Sequence, residues 1–445
     1  MVRLKPPQRR RPVAGDPGKS DHVGFLGKRR VRRMKTRSCV FHVAILLVVL
    51  FAARTVVQAQ WAIQNSNTTA DLRGIHAVDG KVAWASGTNG TVLRTIDGGA
   101  NWQTCAIPPD AEKLDFRGVQ AFDAKTAIVM SSGPGDLSRL YKTTDGCETW
   151  KLVFTNPDKD GFWDGIVAYK AEHSWPDPHE SGYVFGDPVN GHFAFFASTD
   201  GNLDKWEASD HLIGNPLNKI PLPRSAKEGL FAASNSAFWA DSSGGLLFIT
   251  GGSGGSYIYT SFPAKSWPSP PNGFDFHIQE LPLAFSESAG AFSYAHGPGC
   301  EHWVWEPVGA VYSPTTRRVE FVICKNVVVG GDYKSPENSA GTAAYLDSNS
   351  NKWTAAETPP HGYRSAVAWD AAAKEWITVG PNGTDISTDD GKIWRALQPD
   401  AARGDAADAD RNWNALSLPF VVGPKGRIGK LVQGSGSRVQ GSEKQ

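Results

Sequence analysis

One eight-residue pattern, Ser/Thr-x-Asp-x-Gly-x-x-Trp, occurs in full twice in this chain, from Thr95 to Trp102 and from Ser387 to Trp394. In such a stretch the aspartate carboxylate accepts backbone N–H groups across a turn. The glycine allows the reversal, and the tryptophan packs beneath it into the next strand. Each copy follows a glycine-bounded turn, Gly87-Thr-Asn-Gly90 and Gly380-Pro-Asn-Gly383, that suits the positive φ of a tight hairpin. The same pair of signals near both ends of a chain marks an array of repeated units.

Weaker copies keep the phase in between. Thr143-x-Asp145-x-Cys147-x-x-Trp150 lacks only the glycine, which stands one place early at Gly146. Ser198-x-Asp200 leads to Trp206 with one residue added, Asp347 reaches Trp353 one residue late, and Thr260 and Trp267 keep little but the spacing. The tryptophan-to-tryptophan steps of 48, 56, 61, 86 and 41 residues each suit one four-stranded propeller blade plus insertions. The glycine turn recurs seven times, the last as Gly423-Pro-Lys-Gly426. The expected fold is therefore all-β, a single seven-bladed β-propeller over residues 60–432. Trp61-Ala-Ile-Gln64 supplies the outer strand missing from the last blade and removes an exposed sheet edge.

A third phase precedes each glycine turn, where the innermost strand of a blade begins. It reads Arg73-Gly-Ile, Arg117-Gly-Val, Asp164-Gly-Ile, Glu228-Gly-Leu, Ala289-Gly-Ala, Arg364-Ser-Ala and Asn414-Ala-Leu. Small residues fit where innermost strands crowd the axis, and the residues ahead of them would ring one mouth of the central channel. Arg73, Arg117 and Arg364 lie 14, 16 and 16 residues before their glycine turns and share one phase.

Residues 1–59 read as a basic leader and signal peptide. Positions 1–37 carry a net charge of +11, a largely apolar run extends from Cys39 to Ala53, and Val57-Gln58-Ala59 fits a cleavage site. Met34 is a possible true start, and an uncleaved run would be the only expected link to a membrane. Export would leave a chain of net charge −11, a poor candidate for nucleic acid. The polar, glycine-rich stretch 433–445 reads as a disordered tail. An oxidising compartment permits disulfides among Cys105, Cys147, Cys300 and Cys324. Cys300–Cys324, bracketing an inserted hairpin, is the easier pair. Cys105 and Cys147 read as unpaired or structural, and the pairing stays open. No spacing suggests a metal site or a Ser/His/Asp triad, and no cofactor is implied.

Aligned on these three phases, the chain resembles the exported bacterial BNR/Asp-box propellers related to photosystem II stability/assembly factors. The likeness rests on Leu72-Arg-Gly-Ile-His-Ala-Val-Asp79, Gly186-Asp-Pro188, Phe231-Ala-Ala-Ser234, Gly330-Gly-Asp-Tyr333 and Val422-Gly-Pro-Lys-Gly-Arg-Ile428. It fails at 262–285 and at 294–325, where an insertion stands. The resemblance implies that the box residues Asp97, Trp102, Asp145, Trp150, Asp200, Trp206, Asp389 and Trp394 are structural.

Two functions follow. The first is a non-catalytic exported scaffold that holds an unknown protein or a polar, anionic ligand through Arg73, Arg117, Arg364 and Asn414, since guanidinium binds carboxylate bidentately. The second is a glycoside hydrolase resembling sialidases, with Asp164 and Glu228 as its carboxylates and Tyr363 or Tyr333 as nucleophile. Unpaired carboxylates at the mouth would favour the hydrolase, and paired ones the scaffold. Asp187 and Asp332 read as turn caps or as loop-borne binding residues.

Overall fold

Among the described residues seven antiparallel blades follow one another along the chain, with a separate two-stranded sheet, Ala310–Tyr312 paired with Val319–Phe321. The computed structural model describes residues 60–432, apart from 172–178, 209–219, 241–245, 264–273, 299–309, 313–318, 322–324, 348–349 and 402–403. Blade 1 is built from Leu72–Ala77, Ala83–Gly87, Val92–Thr95 and Gln103–Thr104, hydrogen-bonded in that order from the innermost strand outward. Blades 2 and 3 begin with innermost strands Phe116–Ala121 and Trp163–Ala171. Blades 4, 5 and 6 begin with Phe238–Ala240, Ala289–His296 and Ala366–Asp370. Blade 7 comprises Ala415–Ser417, Phe420–Val422, Ile428–Val432 and, as its outer strand, Gln60–Gln64. The ring closes as the sequence predicts, with Trp61 opposite Leu431 and Gln64 opposite Ile428.

The core lies between blades rather than within them. Trp84 of blade 1 packs with Phe116, Val129 and Tyr141 of blade 2, and Ile128 and Met130 of blade 2 pack with Trp163 and Val184 of blade 3. Trp61 and Trp413 of blade 7 pack with Ile377 and Val379 of blade 6. Near the axis the spacing is too tight for side chains. A Cβ on Gly74 would lie 2.9 Å from the carbonyl oxygen of Arg117, and one on Gly165 would lie 2.2 Å from the ring of Phe238. That crowding is why glycine follows Arg73 and Asp164.

The turn motifs are hydrogen-bonded as self-capped units. Thr95 donates its hydroxyl to Asp97 at 2.9 Å, Asp97 accepts the Asn101 N–H at 2.9 Å, and Gly99, at φ +84°, donates its N–H to Thr95. Ser387, Asp389, Gly391 and Ile393 repeat the arrangement, and Thr143, Asp145, Cys147 and Thr149 repeat it in blade 2. Asp200 accepts from the N–H groups of Asn202 and Asp204 in blade 3. Trp102, Trp150, Trp206 and Trp394 are all buried.

The structure closes one open pairing and corrects one strand assignment. Cys105 and Cys147 form a disulfide, tying the end of blade 1 to the turn of blade 2. Cys147 occupies the glycine position of that turn at φ +67°, so the departure from the pattern marks the bridge. Cys300 and Cys324 lie outside the described residues, as do the leader, the tail and Trp267. Glu228 does not open the innermost strand of blade 4. Glu228–Gly229 pairs with Gly251–Gly252, and the chain then makes an excursion over 230–237 before the strand Phe238–Ala240. Ala289 does open blade 5, but blades 4 and 5 are also joined there by a ladder contact between Gly251 and Gly290.

Candidate functional site

A β-bulge places one extra residue in a strand and re-aims its side chain. The innermost strands of blades 1, 2 and 3 shift register between Leu72 and Gly74, Phe116 and Gly118, and Trp163 and Gly165. Arg73, Arg117 and Asp164 are the extra residues, and all three border the central channel. Blade 5 shifts between Ala291 and Ser293, so its channel residue is Phe292. The second strand of blade 3 shifts between Gly186 and Pro188 and brings Asp187 to the same channel. The channel mouth encloses about 1070 Å³ and takes residues from six blades and from the excursion that precedes Phe238.

One wall is charged. Arg117 Nε donates to Asp115 Oδ2 at 2.9 Å, and Arg73 Nε lies 3.7 Å from the other oxygen, so the two arginines share one carboxylate. Arg117 also donates to the carbonyl of Ala232 at 3.3 Å and lies over the ring of Phe162. Asp164 is only 3% exposed, and its Oδ2 has no hydrogen-bond partner. Burial first, and the neighbouring Asp187 charge second, push its carboxyl well above the usual range, against the pull of Arg117. Asp187 Oδ1 accepts the Leu230 N–H at 2.9 Å, and burial pushes its carboxyl up as well. Asp187 therefore caps no turn of its own, whereas Asp332 accepts from Ser288 and from the Lys334 N–H beside it.

The facing wall is aromatic. Phe231 stacks on Phe292 with ring centroids 4.1 Å apart, Tyr363 meets Phe292 edge-on at 4.8 Å, and Tyr333 meets both phenylalanines edge-on. Tyr333 is 47% exposed, an unusual state for a ring stacked in a cluster. None of the phenylalanines was a candidate from sequence. The signal lay in the bulge at Phe292 and in Phe231-Ala-Ala-Ser234, a stretch without strand alternation.

Arg364 is not part of this site. It is wholly buried in blade 6, where Nε donates to Asp385 at 2.9 Å and Nη2 donates to the same carboxylate. Nη1 donates to the carbonyl of Tyr363 at 2.8 Å and to the side chain of Asn382. His361 hydrogen-bonds Asp385 at 2.9 Å, and that bond raises the His361 pKa above its ordinary value. Burial pushes Asp385 up, but His361 and Arg364 together hold it below the usual carboxylate range. Asn414 borders the channel, yet its amide is committed to the Leu72 carbonyl at 2.8 Å and stitches blade 7 to blade 1.

Glu228 is likewise occupied. Its Oε1 accepts hydroxyls from Thr250 at 2.5 Å and Tyr259 at 2.8 Å, and its Oε2 accepts the Arg224 N–H at 2.6 Å. The Tyr259–Glu228 pair has the residue types of a nucleophile and its base. Yet Tyr259 lies wholly in the core, and burial followed by the Glu228 charge drives its pKa upward. Tyr363, nearer the channel, is also driven upward by burial. Asp164 and Glu228 thus stand apart in state, one with an unpartnered oxygen and one saturated by neutral donors.

No family model matches this sequence, and no curated protein matches it. Solved structures similar to it are propellers. YCF48 bound to a D1 peptide is 16% identical, with 84% of this chain and 97% of that one covered at a TM-score of 0.49. YCF48 from Cyanidioschyzon merolae is 18% identical, covering 83% and 98% at 0.49. The WD40 β-propeller domain of Doa1 is 8% identical, covering 85% and 98% at 0.45.

Proposed function

We propose that the protein is an exported, non-catalytic propeller that holds a segment of a polypeptide partner at this channel mouth. The observation that carries the reading is the pairing of two unlike walls around one open space. Stacked aromatic rings face hydrogen-bonding and charged groups across a volume fit for a few side chains. Such a mixture suits a peptide, which presents apolar side chains and polar backbone together. The state of the carboxylates and tyrosines argues against the hydrolase reading. Glu228 is capped by three donors, and its tyrosine partner is enclosed in the core.

The test is a peptide selection on the purified protein, followed by titration of the selected sequences. Binding should fall at least about tenfold in Tyr333→Ala, the exposed ring of the cluster, as expected for losing an aromatic anchor worth about 2 kcal/mol. Peptides that bind Tyr333→Ala and Arg117→Ala as tightly as the parent would place the partner elsewhere. Turnover of a fluorogenic glycoside panel, lost in Asp164→Asn, would replace this reading with the hydrolase. Export rests on the leader pattern alone, and mass spectrometry of the secreted or periplasmic chain should find Gln60 at its N-terminus.

A further inference from the structure

Among the described residues the channel lining contains five acids, Asp160, Asp164, Asp187, Glu228 and Glu287, against three bases, Arg73, Arg117 and Lys227. Two of the bases already share Asp115, which reverses the expectation of an anionic ligand. Within this lining, blade 3 sets two bulges side by side, one on each of its two inner strands, and each delivers a carboxylate.

The short excursion before Phe238 borders both of them. Asp187 accepts the N–H of Leu230, and the Ala232 backbone lies beside Asp164. The ring of Phe231, between them in sequence, stacks on Phe292. One short segment thus reaches Asp187 through its backbone and carries a ring of the aromatic wall. Asp164 Oδ2 is left buried without a hydrogen-bond partner. A buried carboxylate oxygen in that condition is costly, and a charged donor is what it lacks.

We propose that Asp164 and Asp187 form the seat for a cationic side chain, a primary ammonium or guanidinium, presented by the polypeptide held at the channel mouth. The inference rests on the reading of the mouth as a peptide-binding face and adds the chemistry of its anchor. Asp187, part exposed, makes the outer contact, and Asp164 makes the inner one. Only two carboxylates meet there. Among the described residues no group of three or more His, Cys, Asp or Glu side chains is placed to hold a metal ion, so an organic cation fits better. The apolar stem of a lysine or arginine would lie along Phe231 and Phe292 while its head reaches the acids. The groups facing Asp164 are Asp187, Arg117 and the Ala232 backbone. Burial pushes the Asp164 carboxyl up and a cation favours its ionised form, so binding should tighten as pH rises.

The probe is n-butylammonium chloride, which carries the head and stem of lysine, with butan-1-ol as the neutral control. Titration calorimetry on the intact protein should give a Kd on the order of 1 mM for the ammonium, about 4 kcal/mol for five heavy atoms. Asp164→Asn and Asp187→Asn should each weaken it at least about tenfold while melting close to the parent. Affinity should rise with pH in the parent and depend on it less in Asp164→Asn, where Asp187 alone titrates. Equal binding by parent and both variants, equal binding of butan-1-ol, or no binding of the ammonium at 100-fold the expected Kd (about 100 mM on that scale) would overturn the seat. Selected peptides that still bind through Tyr333 in that event would leave the scaffold standing, and only the anchor would be wrong.

Discussion

Trp61 donates its indole N–H to the Thr384 hydroxyl at 3.1 Å, joining the first strand of the propeller to blade 6 across 323 positions of sequence. The same indole packs against Trp413 of blade 7 with ring centroids 6.2 Å apart. The closing strand is therefore held by its ladder to Ile428–Val432 and by a side chain lodged between two blades.

Trp61→Ala should lower stability by about 3–5 kcal/mol, the usual cost of removing a large buried aromatic residue. Deleting residues 60–65 should cost more, because it also reopens a sheet edge. Urea unfolding followed by tryptophan fluorescence checks both, and a truncated chain that unfolds like the parent would refute the closure.

Arg364→Ala and Arg117→Ala should separate fold from binding. Removing Arg364 leaves Asp385 buried without its main charge partner, and a broken buried pair typically costs about 3–5 kcal/mol. Arg117 is partly exposed, and its pair with Asp115 is worth about 1 kcal/mol or less. Thermal melts should show a large loss for the first variant and a small one for the second. Selected peptides should dissociate only from the second.

Reduction of Cys105–Cys147 should destabilise the ring, because the bridge closes a loop of 42 residues. Chain-entropy arguments put the effect at about 4 kcal/mol. The reduced parent and Cys105→Ser should unfold alike, and both should be less stable than the oxidised parent. No change on reduction would mean that the thiols are unpaired in solution.

His76 should make stability fall on mild acidification. It accepts the Ala121 N–H at 2.8 Å and stitches blade 1 to blade 2, and burial lowers its pKa from 6.5 to about 4. Between those values the unfolded chain binds the proton and the folded one does not. Its contribution is thus complete above pH 6.5 and declines as pH falls towards 4. His296, lowered by burial, acts in the same direction, while the raised His361 loses its contribution as pH climbs above 6.5. Unfolding free energy of His76→Gln should have a shallower slope from pH 6.5 to 5, and an unchanged slope would remove His76 from this role.

The sequence made the blade number and the closure readable because three signals repeat in phase, each for a separate physical reason. The mouth was half readable. Arg73, Arg117 and Asp164 were found because each bulge residue sits directly before a small residue that crowding demands. Arg364 shares that spacing, but the innermost strand of blade 6 begins after it at Ala366 and pairs without a bulge. Its side chain accordingly turns into the blade, to a carboxylate 21 positions away that no local pattern announces. Phe231 and Phe292 were missed for the converse reason, since aromatic residues in a strand-rich chain read as core. Asp187 reads from sequence as a turn cap or a loop-borne binding residue, and its partner Leu230, 43 positions away, decides against the cap.

The position of Trp61 also sets the order in which the molecule can be finished. Its ladder partner Leu431 lies roughly 370 positions later in the chain, and at common synthesis rates of 5–20 residues per second that is a delay of roughly 20–70 s. Throughout that interval the first blades to form have no seventh neighbour, and the N-terminal strand has nothing to pair with. Interruption of synthesis anywhere before Ile428 would yield a crescent with two open ends, each a template for the other end of another copy.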